Sequence, residues 1–137
     1  MLDSEATKKD FIFFLKEKLG FTDNEIYTNP NIVIKNKDKI LIEKFLKQKV
    51  KGIPLDYILN SSQFYEYEFF VDSRVLIPRP ETEILVDYVN NHFSSSINVL
   101  DVGTGSGCIG ISIALQNPSF NVYGSDYSED AIGVAFI

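Results

Sequence analysis

Between residues 97 and 116 the chain reads "INVLDVGTGSGCIGISIALQ". Four glycines fall within eight positions, 103 to 110, between two apolar runs. An apolar run of five or six residues, a glycine turn and a longer apolar run together specify a strand, a tight loop and a helix. A second such run, "FNVYGSD", and the start of another helix, "SEDAIGVAF", follow. The order is β-α-β-α. It predicts parallel strands joined by helical crossovers, with helices covering the sheet, and so an α/β fold.

The glycines can be read in two registers. Gly105, Gly107 and Gly110 form a literal G-x-G-x-x-G. In a dinucleotide fold the first glycine ends the first strand directly. Starting from Gly105 puts Val102-Gly103-Thr104 at that strand end, which is poor. Starting from Gly103 puts Val99-Leu100-Asp101-Val102 there, which is good. The pattern is then Asp-x-Gly-x-Gly-x-Gly from Asp101 to Gly107. Gly110 falls inside the helix, at a close approach of helix and sheet.

This register carries chemistry. An acid two residues before the first glycine would repel a pyrophosphate, so Asp101 disfavours a dinucleotide such as NAD. S-adenosylmethionine has no phosphate; it has an ammonium, a sulfonium and a carboxylate. An acid at the strand tip suits the cationic end, and free N–H groups at a helix start suit the carboxylate. Asp126, at the end of the second strand, can accept hydrogen bonds from ribose hydroxyls, as acids do in NAD-binding folds too. No Gly-Lys-Ser/Thr follows the glycines, which excludes a P-loop. The plain alternative is a tight turn without a ligand.

The rest of the chain divides by texture. Residues 4–19 predict a helix, with Phe11, Phe14, Leu15 and Leu19 on one face and Gly20 at its end. Thr22 and Glu25 form a capping-box pattern that opens a second helix, which Asn29-Pro30 interrupts. A third runs from about Lys37 to Lys51, with Leu41, Ile42, Phe45, Leu46 and Val50 as its apolar stripe. In "SSQFYEYEFFVDSRVLIP", alternation at Phe64, Glu66, Glu68 and Phe70 predicts two short strands with a turn near Asp72-Ser73. Pro80 opens a further helix with Glu81 and Glu83 in its first turn, and Ile84, Leu85, Tyr88 and Val89 face a core. The expected organisation is a helical domain over 1–60, a hairpin linker over 61–78, and an α/β unit over 79–137.

Charge is uneven. Residues 1–60 hold eleven lysines and nine acids, whereas 61–137 hold two arginines and ten acids. A lysine-rich first part could approach an acidic or RNA-associated partner, or be a set of solvated helix faces. The acidic second part argues against extended nucleic-acid contact. No apolar run approaches the length of a membrane span, and the opening residues do not read as a signal peptide. The single cysteine, Cys108, allows no internal disulfide and reads as a small buried apolar residue. His92 lies near a helix C-terminus and offers no metal set by itself.

Three stretches resemble a known family. Asp101-Val-Gly-Thr-Gly-Ser-Gly107 resembles the first motif of class I S-adenosylmethionine-dependent methyltransferases. "VLIPRPETEILVD", residues 75–87, closely resembles the signature of the protein-(glutamine-N5) methyltransferases that modify peptide chain release factors. "KGIPLDYIL", residues 51–59, resembles the run joining that family's helical domain to its hairpin. The resemblance covers roughly residues 11–137.

It implies transfer of a methyl group from S-adenosylmethionine to the glutamine side-chain amide of the Gly-Gly-Gln loop in release factors. It implies a Rossmann-like class I methyltransferase sheet, a cytoplasmic enzyme and a monomer when full length. Gly103, Thr104, Gly105, Ser106 and Gly107 would cradle the methionine part, Asp101 would lie beside it, and Asp126 would bind the ribose. Arg79, Pro80, Glu81 and Thr82 would form part of the wall near the cofactor. A Pro-initiated helix explains Pro80, Glu81 and Glu83 equally well, but not Arg79.

There are departures. Asn60 stands where the family usually has glycine, and asparagine tolerates the left-handed turn. The family's first helix is missing. So is its catalytic Asn-Pro-Pro-Tyr: Asn29-Pro30 and Asn117-Pro118 are ordinary turn dipeptides. The chain alone is therefore expected to bind cofactor weakly or not at all, to lack activity and to aggregate, with residues 1–60 the better ordered part. A methyltransferase acting on another planar amide or amine, and a non-enzymatic remnant, are the competing readings.

Overall fold

A computed structural model describes residues 4–29 and 32–137 of the chain. They form two compact units, divided between Leu59 and Asn60.

The first unit is helical: α1 (Ser4–Leu19), α2 (Asp23–Thr28), α3 (Asn36–Val50) and α4 (Leu55–Leu59). Gly20, at φ +71°, ends α1, and its N–H returns to the Lys16 carbonyl. The capping box at α2 is complete. The Glu25 N–H reaches the Thr22 hydroxyl, and the Thr22 N–H reaches the Glu25 carboxylate. The expected break at Asn29-Pro30 lies partly outside the described residues; α2 itself ends at Thr28, with Asn29 as its C-cap. Phe14, Phe45 and Leu59 make the core, with the Phe14 and Phe45 rings stacked 4.5 Å apart. A half-buried ion pair, Lys49 to Asp10 at 2.6 Å, ties α3 to α1.

Two expectations fail here. The α3 stripe is only half buried: Phe45 and Ile42 enter the core, while Leu41, Leu46 and Val50 are exposed. Leu41, Leu46 and Val50 flank the narrow face that α1 and α4 cover. The short helix α4 was not anticipated. Pro54 precedes it, and a helix can start after a proline as well as stop before one.

The second unit begins with a hairpin, β1 (Ser62–Phe64) and β2 (Tyr67–Phe69), paired antiparallel with Phe64 opposite Tyr67. Its turn is Tyr65-Glu66, not Asp72-Ser73 as the sequence suggested. Tyr65 takes φ +57°, and its N–H donates to the Glu83 carboxylate at 2.8 Å. A distant carboxylate thus fixes a turn that lacks glycine or asparagine. Asp72 does sit in a turn, closed by the Val75 N–H, but it joins no strands. Asn60 adopts φ +55° as anticipated.

A single 3-10 turn (Pro80–Thr82) leads into α5 (Glu83–His92), followed by β3 (Asn98–Val102), α6 (Cys108–Gln116), β4 (Asn121–Ser125) and α7 (Glu129–Ala135). β3 and β4 are parallel, in register from Asn98↔Asn121 to Val102↔Ser125. The fold is α/β, as expected. Phe64, Phe69, Val86, Cys108, Ile113 and Phe120 form one core, so the hairpin and α6 share it.

The inward face of α5 differs from the one expected. Val86 is fully buried and Val89 packs on the core, while Ile84, Leu85 and Tyr88 are exposed. α5 is apolar on two faces, and periodicity alone does not choose between them. Leu100, Val102 and Tyr123 likewise leave one face of the β3–β4 pair exposed.

Gly133 lies in the middle of α7, where an added Cβ would meet nothing within 4 Å. Gly133→Ala should therefore stabilise the second unit by about 0.5–1 kcal/mol, the helix-interior difference between the two residues. A thermal melt should move up by a few degrees.

Candidate functional site

The site is built where β3 and β4 end side by side. Asp101 and Val102 close β3, and Ser125 closes β4. The chain then leaves β3 through Gly103-Thr104-Gly105-Ser106-Gly107. The Gly103 and Thr104 N–H groups both donate to the Ser125 carbonyl, at 2.7 and 2.9 Å. Gly103, Gly105 and Gly107 all have positive φ, of 77°, 55° and 82°. The register starting at Gly103 is therefore the one the backbone adopts, and the literal motif starting at Gly105 is incidental.

Two carboxylates clasp the loop from either side. Asp101 Oδ2 accepts from the Thr104 hydroxyl at 2.8 Å and from the Gly110 N–H at 3.1 Å. Asp126 Oδ2 accepts from the Gly105 N–H at 2.9 Å, while its Oδ1 accepts from the Ser128 N–H at 2.9 Å. Both acids are partly exposed.

The Asp101 contact to Gly110 has a local cause. Gly107 is the N-cap of α6 and has no side chain, and the first turn of α6 holds no acid. Its N–H groups need acceptors. Asp101, from the neighbouring strand, reaches the third of them and places negative charge at the positive end of the helix dipole. Gly110 leaves room for this. A Cβ there would lie 3.2 Å from Asp101 Oδ2 and 3.5 Å from Val122 Cγ1. The capping role of Asp101 was not read from the sequence. The signal was available: a helix opened by glycine, with no acid in its first turn.

The loop fits S-adenosylmethionine on two counts. A Cβ added at Gly103 or Gly105 would meet no atom within 4 Å, so a ligand can lie close against the backbone there. The donor set is chemically apt. Among the described residues Asp101 Oδ1 takes no hydrogen bond, which leaves a negative oxygen for a cationic group, and each Asp126 oxygen keeps a second acceptor position.

Residues 93–136 match the family model of a methyltransferase domain. Over 124 residues the chain is 38% identical to the release factor glutamine methyltransferase of Chlorobaculum tepidum, spanning 85% of this chain and 42% of that protein. It is also 38% identical, over 140 residues, to the release factor glutamine methyltransferase of Flavobacterium psychrophilum, spanning 98% of this chain and 49% of that one.

This chain belongs to the release factor glutamine methyltransferase family. A bifunctional methyltransferase of Rickettsia bellii is 35% identical over 80% of this chain and 25% of its own length. The chain spans about half the length of the curated relatives it matches, or less.

Other residues singled out from the sequence lie as follows. Thr104 is buried, its hydroxyl committed to Asp101. Ser106 is buried too, and its Oγ has no hydrogen-bond partner of ordinary geometry. It lies near enough to the Cys108 thiol to lower that thiol's pKa, but burial is the larger effect and pushes it up. Cys108 is thus a core residue, not an activated nucleophile. Arg79 and Glu81 are exposed, and Arg79 makes no ion pair with the described residues. No hydrogen bond joins the Arg79-Pro80-Glu81-Thr82 run to the glycine loop among the described residues. The neighbouring Glu83 instead holds the hairpin turn. His92 Nδ1 donates to the Tyr88 carbonyl, 2.8 Å away, and the imidazole stacks on the Tyr88 ring. No helix among the described residues is long and apolar enough to cross a membrane.

The N–H groups of Ser128 and then Gly105 hold the Asp126 carboxyl below its ordinary pKa of 3.8. A depressed carboxyl pKa stabilises the fold above the unfolded value and stops doing so as pH falls through the folded one. The clasp on Gly105 should therefore loosen only below about pH 4. Amide exchange at Gly105 and Ser128 should quicken there, ahead of other loop amides. Asp126→Asn should abolish that acid-specific step.

Proposed function

We propose that the second unit binds S-adenosylmethionine on the Gly103–Gly107 loop, and that the whole protein methylates the side-chain amide of a release-factor glutamine. The observation that carries this reading is the convergence of Asp101 and Asp126 on one glycine loop at the end of a parallel strand pair. The names of the relatives supply the substrate class.

Each residue has a distinct task. The bare backbone at Gly103 and Gly105 lets the cofactor's methionine part lie close against the loop. Asp101 Oδ1 orients its ammonium, while Oδ2 keeps the loop closed on α6. Asp126 takes the ribose hydroxyls. Bound there, S-adenosylmethionine supplies a methyl group on a cationic sulfur. An amide nitrogen is a weak nucleophile because its lone pair is delocalised into the carbonyl. The protein must therefore orient that amide and oppose its delocalisation. No Asn-Pro-Pro-Tyr is present in these 137 residues, so no residue is assigned to that step.

Calorimetric titration tests the cofactor assignment. The full-length protein should give binding heat with S-adenosylmethionine and none with NAD. The reverse result would overturn the reading of Asp101. For the substrate, the full-length protein should add one methyl to a release factor and none to a factor whose loop glutamine is alanine. Equal labelling of both would place the target elsewhere.

A further inference from the structure

The first unit carries a surface that the methyl-transfer reading does not use. Ile40, Lys44 and Lys47 on α3 and Lys51 at its C-cap recur at four-, three- and four-residue spacing, so they form one row along the helix. The row spans about 16 Å at 1.5 Å per residue. With Glu43, Gln48 and Ile53 it lines an open groove of about 450 Å³. Ile40 is 68% exposed, and Val50 beside the row is 72% exposed.

Among the described residues the lysines are unmatched. The ion pairs there use Lys9, Lys16 and Lys49, and none uses Lys44, Lys47 or Lys51. Only Glu43 opposes them within the groove. The helix dipole accounts for cations in the last turn of α3, which covers Lys47 and Lys51. It does not account for Lys44, nor for the exposed Ile40 at one end of the groove.

We propose that this groove docks an acidic amphipathic helix of a partner protein, about three turns long. Carboxylates at i, i+3 and i+7 of the partner would meet the lysine row, because one helical repeat matches another. Apolar residues between them would cover Ile40 and Ile53, the helix-in-groove mode of recognition. Nucleic acid fits less well. Glu43 would repel a phosphate backbone, and no aromatic side chain lines the groove to stack a base.

The test uses the isotope-labelled full-length protein and a synthetic fourteen-residue peptide, with glutamates at i, i+3 and i+7 and leucines at i+4 and i+8. Amide shifts should be confined to residues 40–53, and affinity should fall as salt is raised. Reversing the row (Lys44→Glu, Lys47→Glu and Lys51→Glu together) should weaken binding at least tenfold. All three positions are exposed, and far-ultraviolet circular dichroism checks that the helices remain. The milder triple change to glutamine should give an intermediate loss. Shifts outside the groove, equal binding of a peptide with lysine in place of glutamate, or tighter binding of a fourteen-nucleotide single-stranded RNA would each overturn the proposal. No cofactor enters the measurement, so its outcome is independent of the methyl-transfer reading.

Discussion

Gly107→Ala should destabilise the second unit by about 2–5 kcal/mol. Two independent costs add. At φ +82° an alanine is strained by roughly 1–2 kcal/mol, since a Cβ in the left-handed region meets its own carbonyl. The added carbon would also lie 2.7 Å from Ile111 Cδ1 and 3.4 Å from the Ala135 Cβ. The isoleucine can rotate away, but the alanine of α7 cannot, and overpacking of this kind costs about 1–3 kcal/mol. A domain of this size shifts its melting point by roughly 4–8 °C per kcal/mol. The unit should therefore melt at least 8 °C lower, or fail to fold. Gly133→Ala, the same chemical change 26 residues away, should act in the opposite direction. Equal melting points for the two variants would show that the loop does not hold the backbone described here.

This contrast marks what a sequence does and does not announce. The strand, loop, helix and strand around Gly103–Gly107 were legible, because apolar runs and clustered glycines each have one structural use. So was the register, because Val99 to Val102 is an unbroken strand end, whereas Gly103 interrupts the run that ends at Thr104. The hairpin turn was not legible. Tyr65 and Glu66 are poor turn residues, and what fixes them is Glu83, eighteen positions away. Turn chemistry is local, but here the decisive hydrogen bond is not. The buried face of α5 was ambiguous for a different reason: Ile84, Leu85 and Tyr88 are as apolar as Val86 and Val89, and only packing separates them. At the site, the residue types were evident and one of their duties was hidden. Asp101 was read as facing a ligand. Its Oδ2 in fact closes the loop and caps α6.

That double duty makes Asp101 the second position with a large expected effect. Asp101→Ala removes the acceptor for a buried hydroxyl, Thr104, and for an unpaired N–H in the first turn of α6. A buried donor left without a partner costs about 1–3 kcal/mol. Two of them, one only part-buried, should destabilise the unit by about 2–4 kcal/mol. Asp101→Asn behaves differently. Its amide oxygen can still accept from both donors, so the loop stays closed and most of the stability remains. What it loses is the charge. Affinity for S-adenosylmethionine should then fall by about 1–3 kcal/mol, the range for a charged hydrogen-bond partner, in a protein that is still folded. Melting curves and calorimetric titrations on the two variants separate the roles. If Asp101→Asn binds the cofactor as tightly as the parent, Asp101 serves the fold alone, and the cationic end of the cofactor is held by another group.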